Sequence, residues 1–201
     1  MLILLGTATS PFVRKIRIAA SILKLEDSIR FEPAVTFDPA SDLCRQNPLG
    51  KIPTLVLKDG STLYDSRVIL EYLDHIAGNG QIIPIQPDAR FKALRLQALV
   101  DGILDAAVLL VQENRFRSAE KREPKWIAHQ SERMARALAV LEKTPPETAR
   151  TVNVGDIALG SALDWLDLRF EQMCSQNYPR LMEWQSEFAR RVPNFAETKP
   201  H

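Results

Sequence analysis

The sequence is poor in cysteine: only Cys44 and Cys174 occur in 201 residues. They stand far apart and form no CxxC pair, which excludes a disulfide framework, a dithiol redox motif and a cysteine-based zinc site. An excess of either charge is also missing. With 26 basic and 25 acidic residues the net charge is +1, so the concentrated basic surplus of a nucleic-acid binder is absent. The apolar run Leu2–Leu5 ends at Gly6, far too short for a signal core or a membrane span. His75, His129 and His201 show no ligand spacing. No internal repeat or low-complexity stretch interrupts the chain. These absences set the expectation of a soluble, cytoplasmic protein with reduced thiols and no metal, nucleic-acid or membrane partner.

What is present divides into two textures. With 45% hydrophobic residues, the chain can bury the core of one domain or of two small ones in contact. Leu2–Leu5 reads as a strand, and Phe12, Ile16, Ala19, Ala20 and Leu23 recur at helical spacing. Residues 28–35 then read as a second strand, with Ile29, Phe31 and Val35 on one alternating face. Strand, helix and strand at this spacing make a βαβ unit. Thr54–Leu57 and Ser61–Tyr64 flank Lys58-Asp59-Gly60, a hairpin signal, and Val68, Ile69, Tyr72, Leu73 and Ile76 mark another amphipathic helix. Gly78-Asn79-Gly80 with Pro84 and Pro87 is a breaker-rich linker. Beyond it the pattern is helical throughout. A long helix is expected from about Ala89 to Arg115, a second after Pro124 up to Pro145-Pro146, a third from Asn153 and a fourth from Pro179.

Three segments can carry chemistry. Thr9-Ser10-Pro11-Phe12 stands between the first strand and the first helix. Serine favours the N-cap and proline the first helical position, so Ser10 reads either as a cap or as something more. A helix N-terminus favours an anion, and a hydroxyl there can donate to a thiolate. Asn47-Pro48-Leu49-Gly50-Lys51-Ile52-Pro53 puts proline at a strand entry. The position suits a plain loop or a cis Ile52–Pro53 bond. Tyr64-Asp65-Ser66-Arg67 opens a helix. There Asp65 or Ser66 caps it, or the pair holds the zwitterionic head of an amino acid.

Other groups read as structural. Asn153-Val154-Gly155-Asp156 is a variant capping box, with Val152 and Ile157 spaced as a hydrophobic staple. Asp101 and Asp105 are one helical turn apart and can share a face, either as solvated or paired acids or as an acid–base pair. Trp126, Trp165 and Trp184 at helical positions are expected in the core. His75 reads as a solvated helix residue and Cys44 as an ordinary loop thiol.

In this order the segments resemble the soluble glutathione transferase family. Leu4-Leu5-Gly6 and Ser10 to Lys15 resemble its first strand and helix, and Asn47 to Pro53 its cis-proline loop. Asp65-Ser66 is similar to its Glu/Asp-Ser pair, Asn153–Ile157 to its buried folding motif, and Pro193–Pro200, with Phe195 and Thr198, to its C-terminal signature. The nearest resemblance is to serine-type members, such as plant tau-like and related bacterial groups. It implies a thioredoxin-like N-terminal domain (βαβ-ββα) over residues 1–77, a linker at 78–88 and an α-helical bundle over 89–201. It also implies a homodimer and glutathione as co-substrate, without a metal. By position, Ser10 would bond the glutathione sulfur, with Phe12 beside it and Thr9 as rival. Ile52, before cis-Pro53, would pair with the cysteinyl backbone, and Lys51 would approach the glycyl carboxylate. Asp65 and Ser66 would hold the γ-glutamyl head, with Asp101 and Asp105 as secondary candidates.

The sequence departs from that pattern at Asn153 and Gly155, which replace Ser/Thr and Ala, and at Asp65, shorter than the glutamate of tau-like members. The implied activity is attack of a glutathione thiolate on an electrophile. A non-catalytic binding or regulatory relative, or a glutathione-dependent peroxidase or reductase, would carry the same scaffold. A cysteine-dependent thiol transferase is disfavoured, since no cysteine occupies the Ser10 segment.

Overall fold

The computed structural model describes residues 1–148 and 151–200; His201 lies outside them. The chain begins with β1 (Leu2–Gly6), α1 (Pro11–Ile22), a short 3-10 turn and β2 (Ile29–Pro33). A short helix α2 (Asp42–Gln46) precedes β3 (Thr54–Val56), β4 (Thr62–Leu63) and α3 (Ser66–Ile76). The strands form one mixed sheet in the order β2-β1-β3-β4. β1 runs parallel to β2 and antiparallel to β3, and β3 is antiparallel to β4. This is the thioredoxin-like sheet that the resemblance implies.

All later elements are helical among the described residues: α4 (Pro87–Phe116), α5 (Pro124–Lys143), α6 (Val154–Arg169), α7 (Met173–Asn177) and α8 (Pro179–Arg191). Proline occupies the first position of α1, α4, α5 and α8, where its missing N–H costs nothing and its fixed φ suits the helix. The same rule moves the start of α4 to Pro87, two residues ahead of the start expected at Ala89.

The core is continuous from sheet to helices. Leu4, Ile16, Leu55 and Leu70 belong to the same buried cluster as Val100, Leu104, Ile157 and Leu163. Helix α6 is its centre, buried from Val154 to Leu163, and it packs on both α1 and α4. At its start Asn153 accepts from the N–H groups of Gly155 and Asp156, while Asp156 accepts from Asn153 N–H at 3.0 Å. A Cβ on Gly155 would meet Ala93 O and Leu96 Cβ, both at 2.8 Å. The missing methyl thus lets α4 and α6 close up, while the cap itself is intact.

Four expectations are corrected. β2 spans Ile29–Pro33 and exposes Phe31, and Val35 lies beyond it and is exposed. An edge strand of the sheet need not bury its alternating face. Trp126 is 41% exposed, unlike Trp165 and Trp184, because helical spacing alone does not say which face meets the core. Cys44 lies within α2. The helices α2 and α7, of five residues each, are too short to leave a periodic signal.

Candidate functional site

The strand register gathers the candidate segments at one end of the sheet. Gly6, the last residue of β1, pairs with Pro33, the last of β2, and Leu5 pairs with Thr54, the first of β3. Leu63, the last of β4, pairs with Leu55. The loop carrying Thr9 and Ser10, the turn ending in Ile52–Pro53 and the Tyr64–Asp65 step therefore leave the sheet side by side. Helices α1 and α3 both begin there and pack on each other, so two positive N-terminal ends lie at this edge.

Ser10 is the N-cap of α1. Its Oγ accepts from Val13 N–H at 3.3 Å, an arrangement that uses a lone pair and leaves the O–H proton free to donate elsewhere. The first turn of α1 is tied to α6 by Ser161, whose hydroxyl donates to Pro11 O at 2.6 Å. A Cβ on Gly6 would fall 2.5 Å from Val13 Cγ2, so only glycine lets the strand end and the helix start approach this closely. Thr9 and Phe12 are half-buried beside Ser10.

The turn at 47–53 is built by two buried side chains. Asn47 Nδ2 donates to Lys51 O at 2.9 Å and to Thr54 Oγ1 at 3.1 Å, and Asn47 Oδ1 accepts from Leu49 N–H at 3.0 Å. Thr54 donates to the same carbonyl at 3.0 Å. Gly50 has φ +59°, a left-handed conformation that costs glycine little. The Ile52–Pro53 bond is cis, as is Tyr64–Asp65. Pro53 is buried, Ile52 half-buried and Lys51 exposed. Among the described residues, the backbone N–H and C=O of Ile52 have no backbone partner.

Asp65 caps α3, its Oδ1 accepting from Arg67 N–H at 2.9 Å, and Ser66 is buried behind it. Arg67 Nε lies 3.6 Å from Asp65 and 3.3 Å from Asp101. Asp101 is itself buried, with Lys15 Nζ at 2.6 Å. Lys15 is fully buried and its ammonium lies 5.0 Å from the centre of the Phe12 ring. Burial pulls the Lys15 amine below the usual lysine range, while the charges of Asp101 and Asp65 oppose that shift. Asp105, one turn on, is exposed, and its carboxyl is pushed up first by partial desolvation and then by Asp101. Lys51 is near enough for its charge to act on Asp105. So Lys51, Asp65, Asp101 and Asp105 belong to one charged cluster, in which Asp101 is already held by Lys15 and Arg67.

A cavity of about 640 Å³ opens at the opposite end of the sheet, beside Met1, Leu2, Leu25, Lys58 and Tyr72. It lies away from all three segments and from the N-termini of α1 and α3. No group of three or more potential metal ligands occurs among the described residues.

The glutathione S-transferase N-terminal domain family matches residues 9–76. The uncharacterized GST-like protein YibF of Escherichia coli (strain K12) is 34% identical over 171 residues, spanning 83% of this chain and 82% of the relative. The chain belongs to the glutathione S-transferase family. Solved glutathione S-transferases agree in shape along the whole chain. A structure from Methylobacillus flagellatus KT with GSH bound has TM-score 0.91 at 34% identity, and covers 100% of both chains. A family member from Pseudomonas fluorescens Pf-5 with bound glutathione has TM-score 0.91 at 38% identity, again over 100% of both.

Sequence reasoning missed several residues of this family member that shape the site. Lys15 and Arg14 sit in a helical pattern that looks like an exposed basic pair, yet both are buried. Arg14 bonds Asp164 at 2.6 Å, Thr198 at 3.2 Å and Phe195 O at 3.3 Å. The only local hint is their adjacency to an apolar stripe. Asn47 and Thr54 were findable, since Asx turns favour a loop opening in Asn-Pro. Among the described residues, no helix is long and apolar enough to cross a membrane.

Proposed function

We propose that this protein is a serine-type, tau-like glutathione transferase, in which Ser10 stabilises the glutathione thiolate for attack on an electrophile. Residues 1–77 would form the glutathione-binding domain and 89–201 the all-helical one, joined through 78–88. The reading is supported above all by the convergence of Ser10, the unpaired Ile52 backbone and the Asp65-Ser66 helix start at one sheet edge. An extended peptide offers a C=O and an N–H as partners for the Ile52 N–H and C=O, which is strand-like pairing. The two helix N-termini suit a sulfur anion at α1 and a carboxylate at α3. Asp65 suits an ammonium, and Lys51 a second carboxylate. Bound glutathione structures of the two solved relatives add weight.

The energetics suffice without a metal or a general base. A free thiol has a pKa of about 8.5, so a few per cent is ionised at neutral pH. One hydrogen bond from Ser10 to the charged sulfur contributes roughly 1.5–3 kcal/mol. The α1 N-terminus adds roughly 0.3–1 kcal/mol. Together they lower the thiol pKa by about 1.5–3 units, before desolvation takes some back. A shift of about 1.5 units ionises about half of the bound thiol at neutral pH, and about 3 units nearly all of it. The sulfur forms the new bond to the electrophile, whose leaving group departs with its electron pair.

Homodimerisation and cytoplasmic residence belong to the same proposal. Exposed Val68 on α3 and Phe91 and Leu99 on α4 suit an apolar interface, and Cys44 and Cys174 are both free. Light scattering tests the dimer. Glutathione binding is tested by calorimetry on wild type and Asp65→Asn, which keeps an N-cap oxygen and removes the charge. The expected result is wild-type binding weakened at least about fivefold in the variant; equal affinity removes Asp65 from the site.

A further inference from the structure

A second cluster stands at the same end of the sheet and takes no part in the scheme above. Phe37 lies on the segment that follows β2, and Phe116 is the last residue of α4. Their rings meet edge to face with centroids 5.2 Å apart. The Arg115 guanidinium lies 4.2 Å from the Phe37 ring centre and 5.6 Å from that of Phe116. Both rings are more than half exposed, Phe37 at 53% and Phe116 at 59%. Arg115 is exposed too, and among the described residues no carboxylate pairs with it.

Two features place the cluster toward the end of the sheet from which the Ser10 loop leaves. The Phe37 segment and the Ser10 loop leave adjacent, in-register strand ends, and Ala34 N–H donates to Gly6 O at 2.9 Å. On α4, Phe116 is eleven residues beyond Asp105, about 16 Å along the helix and about 20° around it. It therefore shares the α4 face that carries Asp105. Two aromatic rings would bury a flat partner, and aromatic pairing adds to area burial. A guanidinium with no carboxylate partner is complementary to a planar anion, which it can hold in a two-pronged bond.

We infer that Phe37, Arg115 and Phe116 form the electrophile wall and select planar aromatic compounds bearing a carboxylate. The inference rests on the glutathione transferase reading and names the substrate class of that site. Substrates are recognised by aromatic contact with the phenylalanine pair, stacked on one ring and edge-on to the other, and by the carboxylate on Arg115. Neutral aromatic electrophiles keep the stacking and lose the charge pair.

The test is calorimetric binding of two glutathione conjugates, S-(4-carboxy-2-nitrophenyl)glutathione and its 4-carboxamide twin, together with glutathione itself and free 3-nitrobenzoate. Wild type is expected to prefer the carboxylate conjugate by about tenfold. Arg115→Gln is expected to abolish that preference, leaving the carboxamide twin and glutathione within about twofold of wild type. Phe37→Ala and Phe116→Ala are expected to weaken both conjugates alike. No preference in wild type, or an unchanged preference in Arg115→Gln, overturns the inference while glutathione binding stands. Should glutathione fail to bind but 3-nitrobenzoate bind in an Arg115-dependent way, the transferase reading falls and the aromatic-anion site remains. Failure of both overturns both.

Discussion

Asp101→Ala is expected to be the costliest single truncation near the site, because it strands the fully buried Lys15 ammonium. Leaving one member of a buried pair uncompensated costs about 3–5 kcal/mol, to be read from denaturant unfolding. Lys15→Met with Asp101→Leu should recover most of that loss, since two well-packed apolar groups replace the pair. Asp105 gives a test in pH. Its folded carboxyl is raised by desolvation and then by Asp101, so the folded state holds the proton more tightly than the unfolded chain. Stability therefore falls as pH rises from the ordinary aspartate value through the raised one. Asp105→Asn escapes that loss: its unfolding midpoint should exceed wild type's near neutrality and converge with it below the ordinary aspartate range. The difference is small, because the side chain is exposed and screened.

Two glycines make opposite predictions at the level of the helices. A Cβ on Gly102 in α4 meets nothing within 4 Å, so Gly102→Ala is expected to stabilise by about 0.5–1 kcal/mol. A Cβ on Gly155 in α6 meets Ala93 O at 2.8 Å, so Gly155→Ala is expected to cost about 1–3 kcal/mol through forced separation of α4 and α6. Thermal melts of both variants decide the signs. Helix starts were legible in the sequence wherever the signal is local, as at Pro11, Pro124, Pro179 and the Asn153–Asp156 box. Burial was less so. Neither the exposure of Trp126 nor that of Phe31 follows from spacing, which says that residues share a face but not what covers it. The fit at Gly155 is equally invisible, because Ala93 and Leu96 come from another helix.

Across the whole molecule, the sheet and the helices are tied by charged groups with remote partners. Arg14 reaches Asp164 across 150 residues of sequence and Lys15 reaches Asp101 across 86. No local pattern announces such pairs, whereas the three candidate segments were legible because each follows a turn or capping rule. Burial lowers the Arg14 guanidinium's affinity for its proton, and Asp164 opposes this. Arg14→Met should lower the melting temperature and speed proteolysis after Val192, since the ties to Phe195 and Thr198 are lost. The proposed role of Ser10 is to stabilise a thiolate at the end of the sheet where α1 begins. The test is the ultraviolet thiolate titration of glutathione bound to wild type, Ser10→Ala and Thr9→Ala. The thiol pKa is expected to be lowered by about 1.5–3 units in wild type and Thr9→Ala, and returned most of the way to that of free glutathione in Ser10→Ala. An unchanged titration in Ser10→Ala would contradict that role and leave Ser10 as a helix cap alone.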